Sequence, residues 1–250
     1  MPVDNHLDLS VVTIVYNERG NICRLIEQLF SIFKKHNLKG EVVIVDDNSP
    51  DGTAHHVRKM MKSYKPINLI VRPVKSGIAS AYRDGINAAK GNIVIAMDAD
   101  FSHPPSKVYN LYEAAKLNKV AFGSRYIGRK IFETDLIHYI GTAILNLFVG
   151  MVLKTGIRDN TNGYFAVKSS ILKEIREYTL NHNIDPFDRV LWGITIAAAA
   201  KKLGIPTIEI EAPYRKRDYG ETKIPFYDGL KIVLSDMLFA IKLKNTILKK

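Results

Sequence analysis

The chain has a single cysteine, Cys23, among its 250 residues. No internal disulfide is possible, so the fold must rest on its core, as suits a reducing compartment. The amino end also lacks a secretory leader pattern. Met1 to Leu9 carries two aspartates and no basic cluster, and the apolar run that follows, Val11 to Tyr16, is only six residues long. A strand is expected there. Acid is the other shortage. Asp and Glu number 25 against 36 Lys and Arg, for a formal charge of +11. Such an excess points to anionic partners: nucleotides, phospholipid headgroups, lipid phosphates or nucleic acid. A lysine-rich solvated surface gives the same count. The distribution is more informative, because Lys242, Lys244, Lys249 and Lys250 form a basic tail with no acid among them.

What is present is an ordinary globular composition, 46% hydrophobic and 24% charged. The length suits one α/β domain with a large core, alone or with an appendage. Apolar runs at Val11 to Tyr16, Glu41 to Val45, Ile67 to Val71 and Asn92 to Met97 alternate with helical patterns. The helical stretches are Asn21 to Lys35, Thr53 to Ser63 and Ile78 to Lys90. Continuous apolar strands separated by helices imply a mostly parallel central sheet covered on both faces. Three of the strands run directly into polar clusters: Asn17-Glu18, Asp46-Asp47-Asn48 and Asp98-Ala99-Asp100. Ligands of doubly wound sheets bind at the carboxyl ends of strands, so these clusters are expected on one edge.

The second half is less regular. Ser169 to Tyr178 and Phe187 to Leu203 read as helices, and Thr207 to Ala212 as a strand. Leu136 to Leu153 is uncharged and just long enough to span a bilayer. His138, Tyr139, Thr142 and Asn146 favour a buried or interfacial helix instead. From Phe226 an apolar stripe recurs at Leu230, Val233, Leu234, Met237 and Ile241, with Asp228, Lys231, Ser235 and Lys242 opposite. That pattern fits a helix lying in a membrane interface and equally one docked on the protein body. The expected organisation is a catalytic domain over residues 1–223, followed by an amphipathic basic helix over residues 224–250.

The chemistry-bearing residues follow from the strand ends. Alternate residues of an extended segment point the same way, so Asp98 and Asp100 can face one ion. Hard oxygen ligands suit Mg2+ or Mn2+, completed by water and substrate phosphates. A DxD triplet alone is also ordinary turn chemistry; its place after a buried strand, with Ser102-His103-Pro104-Pro105 stopping the chain, adds weight. Pro50, Asp51, Gly52 and Thr53 are explained by a turn and a helix cap. Two adjacent acids abutting a strand are not, unless one of them accepts hydrogen bonds from a base or a sugar.

The strings V-D-D-N-S-P-D-G-T, M-D-A-D-F-S-H-P-P, G-S-R-Y and R-x-x-G-E-T-K together resemble the dolichol-phosphate mannose synthase group. That group lies within the inverting glycosyltransferase family 2, with the GT-A fold, and the likeness runs from Val11 to about Lys223. The resemblance implies a nucleotide-sugar donor, such as GDP-mannose, a divalent metal (Mg2+ or Mn2+), and a polyprenyl or dolichyl phosphate acceptor. It places Val15, Tyr16, Glu18, Asp47, Asp98 and Ala99 on the nucleotide-sugar. Asp98, Asp100 and Ser102 would hold the metal, Ser102 standing where several relatives have glutamine. Arg125 would face the reaction centre, with Arg217 and Lys223 on the acceptor or donor phosphates. Asp159, in a segment like D-x-x-S-G-F with Asn162 at the serine, fits the acceptor side or a plain turn.

The implied chemistry is coherent. A lipid phosphate is ionised near neutral pH and can attack an anomeric carbon without a dedicated base. Cations then position two repelling anions and stabilise the leaving diphosphate. Some departures bear on the sugar: Val15 in place of a frequent proline, Ile127-Gly128-Arg129 in place of a Gly-Gly pair, and Gly193 about where many mannose synthases carry an acid. The expected setting is peripheral, on the cytosolic face of a membrane, with a membrane-anchoring partner protein as a further expectation. Two rivals stand beside this reading: a related transferase with another donor sugar or a glycan or protein acceptor, and an idle nucleotide-sugar-binding scaffold subunit. Nucleic acid is not expected as a partner, since the acidic strand ends repel phosphate.

Overall fold

The structure is a computed structural model and describes residues 6–128, 136–213 and 226–249. In chain order its elements are β1 (Leu9–Val15), α1 (Ile22–Lys35), β2 (Gly40–Asp46), α2 (Thr53–Met60), β3 (Ile67–Val71), α3 (Ile78–Ala88) and β4 (Ile93–Ala96). There follow α4 (Val108–Lys116), β5 (Val120–Ser124), α5 (Leu136–Leu153), β6 (Phe165–Lys168), α6 (Ser169–Leu180), α7 (Trp192–Lys202), β7 (Thr207–Glu211) and α8 (Phe226–Thr246). The first seven match the alternation read from the sequence. The expected helix over Phe187 to Leu203 is shorter, because a separate turn of 3-10 helix occupies Pro186–Asp188.

The seven strands lie in the order β3-β2-β1-β4-β6-β5-β7. β6 runs antiparallel to both β4 and β5, and the remaining pairs are parallel. Successive residues of the central strands serve opposite faces, as the two-residue period of a strand requires. Val11, Val42, Ile44, Ile93 and Ile95 join α1 and α4 in one core. Val12, Val43, Val94 and Ala96 join α3, α6 and α7 in the other. This is the α/β, GT-A-like architecture, with helices on both faces. A Cβ on Gly85 would lie 2.5 Å from Val12 Cγ1, so glycine is what lets α3 press against β1.

A third cluster unites Leu145, Val149 and Leu153 of α5, Ile194 and Ala198 of α7, and Phe239, Ala240, Leu243 and Ile247 of α8. α8 is thus docked on the body, but by only part of the stripe expected from the sequence, Val233 and Met237 packing partly buried against this cluster. Its buried face is Asp236, Phe239, Ala240, Leu243 and Ile247, whereas Leu234 and Ile241 are exposed. The rotation has a polar cause: buried Asp236 meets Arg189 at 3.3 Å, and that guanidinium also lies over Phe239. Outward-facing apolar stripes remain on both helices: Ile140, Ile144, Leu147 and Met151 on α5, and Leu234, Leu238 and Ile241 on α8. Among the described residues no helix is long and apolar enough to cross a membrane.

Candidate active site

The carboxyl ends of β1, β2 and β4 converge. Loop amides from β1 bond to side chains beyond β2: Asn17 N to Ser49 Oγ at 3.0 Å, Glu18 N to Thr53 Oγ1 at 3.1 Å and Arg19 N to Asp51 Oδ2 at 3.1 Å. Asp51 also accepts from the Thr53 amide at 2.9 Å and its hydroxyl at 2.6 Å. Partial burial opposes ionisation of Asp51, but these bonds outweigh it and hold the carboxyl below its ordinary range. The expected turn is therefore present, but not the side-chain cap: the N-cap position of α2 is Gly52, and the oxygens of Asp51 and Thr53 serve the β1 loop and each other. Each of the three strand ends also carries a residue in the left-handed region: Asn17 at φ 60°, Asn48 at 62° and Phe101 at 65°. For a bulky residue such as Phe101 that conformation is an outlier, of the kind concentrated at binding sites.

Asp98 and Asp100 leave the end of β4 one residue apart. Asp98 is half-exposed and held from two sides: Tyr82 Oη donates to Oδ1 at 3.0 Å, and His103 Nε2 lies 3.7 Å from Oδ2. The Asp98 amide donates to His103 Nδ1 at 2.9 Å. With Nδ1 accepting, the ring proton belongs on Nε2, facing the carboxylate. His103 is buried and stacked on Tyr164 at 4.9 Å. Tyr82 is fully buried; burial, and then the Asp98 charge, push its phenol well above the ordinary value, so it remains a proton donor. Asp100 is 5% exposed and accepts from the Ser102 amide at 3.0 Å.

The second group of polar residues sits past β5. Arg125 grips Asp159 through Nε at 2.8 Å and Nη2 at 2.6 Å, and bonds Thr161 Oγ1 at 2.5 Å. The Arg125 amide donates to the same carboxylate at 2.9 Å. Asp159 is wholly buried. Asn146, the polar residue inside the apolar α5, belongs to this group too. Its Nδ2 donates to Thr161 at 3.1 Å, and its Oδ1 accepts from the Asn160 amide at 2.6 Å. The polarity that argued against a membrane span thus has a structural use: it fastens α5 to the Arg125 loop.

With this geometry in hand, comparison with known proteins is decisive for the family. The model named Glycosyl transferase family 2 matches residues 10–176, two thirds of the chain, including β1, β2, β4, Arg125 and Asp159. The chain belongs to glycosyl transferase family 2. It is 29% identical over 225 residues to a dolichol-phosphate mannosyltransferase of Pyrococcus furiosus, covering 87% of this chain and 59% of that one. It is 26% identical over 232 residues to an undecaprenyl-phosphate 4-deoxy-4-formamido-L-arabinose transferase of Pectobacterium atrosepticum, covering 92% and 66%. The chain therefore spans less than two thirds of the length of these relatives. A mannosyltransferase of Pyrobaculum calidifontis, solved with GDP-Man and Mn2+, shares the fold at a TM-score of 0.58 and 16% identity, covering 97% of this chain and 74% of that one.

Within this family 2 domain, the residues singled out from the sequence fall into groups. Tyr16, Glu18, Asp47, Asp98 and Asp100 follow the carboxyl ends of β1, β2 and β4, which are neighbours in the sheet. Val15 and Ala99 are buried in the core beneath it, so what they offer a ligand is backbone. Ser102 is buried beside Asp100. Arg125 is placed but engaged by Asp159. Arg217 and Lys223 lie outside the described residues, as does Arg129. Gly193 is buried in α7, where a Cβ would come within 3.1 Å of the Asn162 carbonyl. Any side chain at that position would therefore be crowded against the Asn162 backbone.

Tyr82 and His103 escaped the sequence reading. Tyr82 sits mid-helix in α3 with no motif around it, and His103 reads as part of a chain stop. Only the fold brings both to Asp98, where they orient a carboxylate in the manner of groups behind a metal ligand. Among the described residues no cluster of three or more His, Cys, Asp or Glu could hold a metal by itself. The pair suits a different arrangement. Mg2+ and Mn2+ are commonly held by one or two carboxylates together with substrate phosphates. Asp98 and Asp100 supply hard oxygens of that kind, and no lysine or arginine among the described residues pairs with Asp98.

Proposed function

We propose that this chain is an inverting glycosyltransferase that moves a sugar from a metal-bound nucleotide-sugar to a polyprenyl phosphate. The observation that carries the reading is the Asp98–Asp100 pair at the end of a buried parallel strand, set among Tyr16, Glu18 and Asp47. Mannose from GDP-mannose is the donor we favour, by similarity to the Pyrococcus furiosus relative. A different sugar is the second reading, since the Pectobacterium atrosepticum relative is named for a modified arabinose and Gly193 replaces an acid.

Asp98 and Asp100 would hold a divalent Mg2+ or Mn2+ ion against the donor diphosphate, with Ser102 beside them; bound there, the ion neutralises charge developing on the leaving group. Tyr82 and His103 keep the Asp98 carboxylate aimed. The acceptor's ionised phosphate attacks the anomeric carbon as the bond to the diphosphate oxygen breaks, inverting the centre and releasing nucleoside diphosphate. We assign Arg125, held in place by Asp159, to the border of the acceptor side, and Arg217 and Lys223 to the phosphates there. Attack by an already ionised phosphate needs no general base.

Such an acceptor sits in a membrane, and we place the enzyme peripherally on the cytosolic face. The outward stripes of α5 and α8 supply apolar contact, and exposed Lys242, Lys244 and Lys249 attract anionic headgroups. A membrane-anchoring partner protein remains part of the proposal. One experiment tests both halves. Labelled nucleotide-sugars are incubated with anionic vesicles carrying polyprenyl phosphate, or with a short-chain acceptor in detergent. Label is expected in an organic-extractable, mild-acid-labile lipid. The paired substitution Leu147→Asp and Leu238→Asp should lower transfer in vesicles by about 100-fold, the loss of two leucines buried in the interface at about 1.5 kcal/mol each, and leave the detergent reaction unchanged. Label found only in a polymer would favour a glycan acceptor. Equal losses in both formats would remove the membrane-docking role.

A further inference from the structure

β7 lies at one end of the sheet, parallel to β5. Its sequence alternates. Ile208 and Ile210 pack against the core shared with α1 and α4, and Glu209 between them points the other way. Glu209 is half-buried, and its Oε1 accepts from two consecutive backbone amides, Arg158 at 3.1 Å and Asp159 at 3.0 Å. Among the described residues its other oxygen takes no hydrogen bond. The carboxylate is thus engaged by backbone alone.

What these amides belong to gives the contact its meaning. Asp159 is the residue that grips Arg125, and Arg125 follows β5 directly. The ladder between β5 and β7 fixes the root of Arg125: Phe122 stands opposite Glu209, Ser124 opposite Glu211, and the Ala212 amide donates to the Ser124 carbonyl at 2.9 Å. One strand pair therefore holds both partners, Arg125 through its backbone and Asp159 through Glu209. The rest of the segment is tied elsewhere. The Asn160 amide donates to Asn146 of α5 at 2.6 Å, and Asn162 Nδ2 donates to the Gly123 carbonyl at 2.9 Å. Neither bond reaches the Asp159 backbone. Among the described residues, Glu209 is the one side chain that binds it.

We propose that Glu209 is a positioning residue for sugar transfer: by fixing the Asp159 backbone, it sets where the Arg125 guanidinium stands on the acceptor side. The inference rests on the acceptor-side reading of Arg125 given above. Two amides sharing one oxygen need reach and an acceptor, not a negative charge. Glu209→Gln keeps a carbonyl oxygen on a stem of the same length. Glu209→Asp keeps the charge and withdraws it by one methylene. The variant that conserves charge is therefore the damaging one.

The test measures transfer of labelled sugar to a short-chain polyprenyl phosphate in detergent, with Mn2+ and the nucleotide-sugar that the wild-type chain prefers. Wild type, Glu209→Gln, Glu209→Asp, Arg125→Ala and the combination of Arg125→Ala with Glu209→Asp are compared. Melting profiles and Mn2+-dependent binding of the matching nucleoside diphosphate accompany each. Glu209→Asp is expected to lower kcat/KM for the acceptor about 100-fold, the scale of a displacement of about 1 Å near a reacting centre, with nucleoside diphosphate binding within about twofold. Glu209→Gln should stay within about threefold of wild type, since both amides keep an acceptor. In the Arg125→Ala background, Glu209→Asp should cost no more than about twofold, because the group it aims is gone. A full loss in that background overturns the inference. So does a Glu209→Gln chain as slow as Glu209→Asp, or a Glu209→Asp chain at the wild-type rate. Loss of nucleoside diphosphate binding in step with transfer marks a general structural role, and overturns it too. A wild-type chain that transfers no sugar from any donor fails the function reading before any substitution is made, and the inference falls with it.

Discussion

Asp100→Asn is expected to lower kcat/KM for sugar transfer by about 10³-fold, the scale on which removing one preorganised electrostatic contact to a developing charge acts. The substitution is nearly isosteric and keeps an oxygen for the Ser102 amide, which Asp100 Oδ1 accepts at 3.0 Å. What it removes is a negative charge at a site that is 5% exposed, where a divalent ion has little water to compensate it. The loss should fall on metal-dependent turnover rather than on folding. Initial rates across an Mn2+ series, with melting temperatures alongside, separate the two. A variant that turns over within about tenfold of wild type at modest Mn2+ would show that Asp100 does not hold the ion.

Asp159→Ala should produce the largest loss of stability. Asp159 is fully buried, and the Arg125 side chain it grips is 12% exposed. Removing the acid strands a guanidinium and also deprives the Arg125 amide of its acceptor at 2.9 Å. Breaking one side of a buried pair in this way costs about 3–5 kcal/mol. For a chain of this size that corresponds to a fall in melting temperature on the order of 10 °C. The double variant Arg125→Ala with Asp159→Ala should be less destabilised than the sum of the singles, because the second change removes the stranded charge. A melting temperature within a degree or so of wild type for Asp159→Ala would contradict the arrangement. The Asp159→Ala chain should also transfer sugar poorly at temperatures where it remains folded, since Arg125 loses its aim.

The contrast between these two residues shows which parts of the molecule can be read in a sequence. Asp98 and Asp100 follow a buried apolar strand, and their place at the carboxyl edge of the sheet was expected from that pattern alone. The parallel half of the sheet was legible for the same reason: Val11 to Tyr16, Glu41 to Val45 and Ile67 to Val71 are apolar runs bounded by helical periodicity. β5 and β6 were not. β5 contains Gly123, and β6 runs without a break into α6 at Ser169, so neither is bounded as a separate apolar run. The insertion of β6 between β4 and β5 is a fact of topology that no local pattern encodes. α4 carries apolar positions at Val108, Leu111 and Ala115 and was readable in principle, but it follows directly on a segment dominated by proline.

α8 fails for a different reason. Apolar residues surround much of that helix, so hydropathy alone cannot choose the buried face. Asp236 decides it through Arg189, a partner 47 residues away. Tyr82 belongs to the same class: it acts on Asp98, which another element supplies, and it stands in no pattern of its own. Arg217 and Lys223, named from a motif, lie outside the described residues.

The donor edge can be interrogated without an acceptor or a membrane. Mn2+ in solution gives a strong six-line electron paramagnetic resonance signal that is lost on binding, so free ion can be titrated against protein with and without GDP or UDP. Wild-type chain should take up about one Mn2+ per molecule when the matching nucleoside diphosphate is present and far less without it, since two carboxylates leave most of the coordination to phosphate and water. The chain carrying both Asp98→Asn and Asp100→Asn should leave the signal unchanged. Nucleotide-dependent uptake of Mn2+ by that double variant at the wild-type level would contradict the assignment of the metal to these two residues.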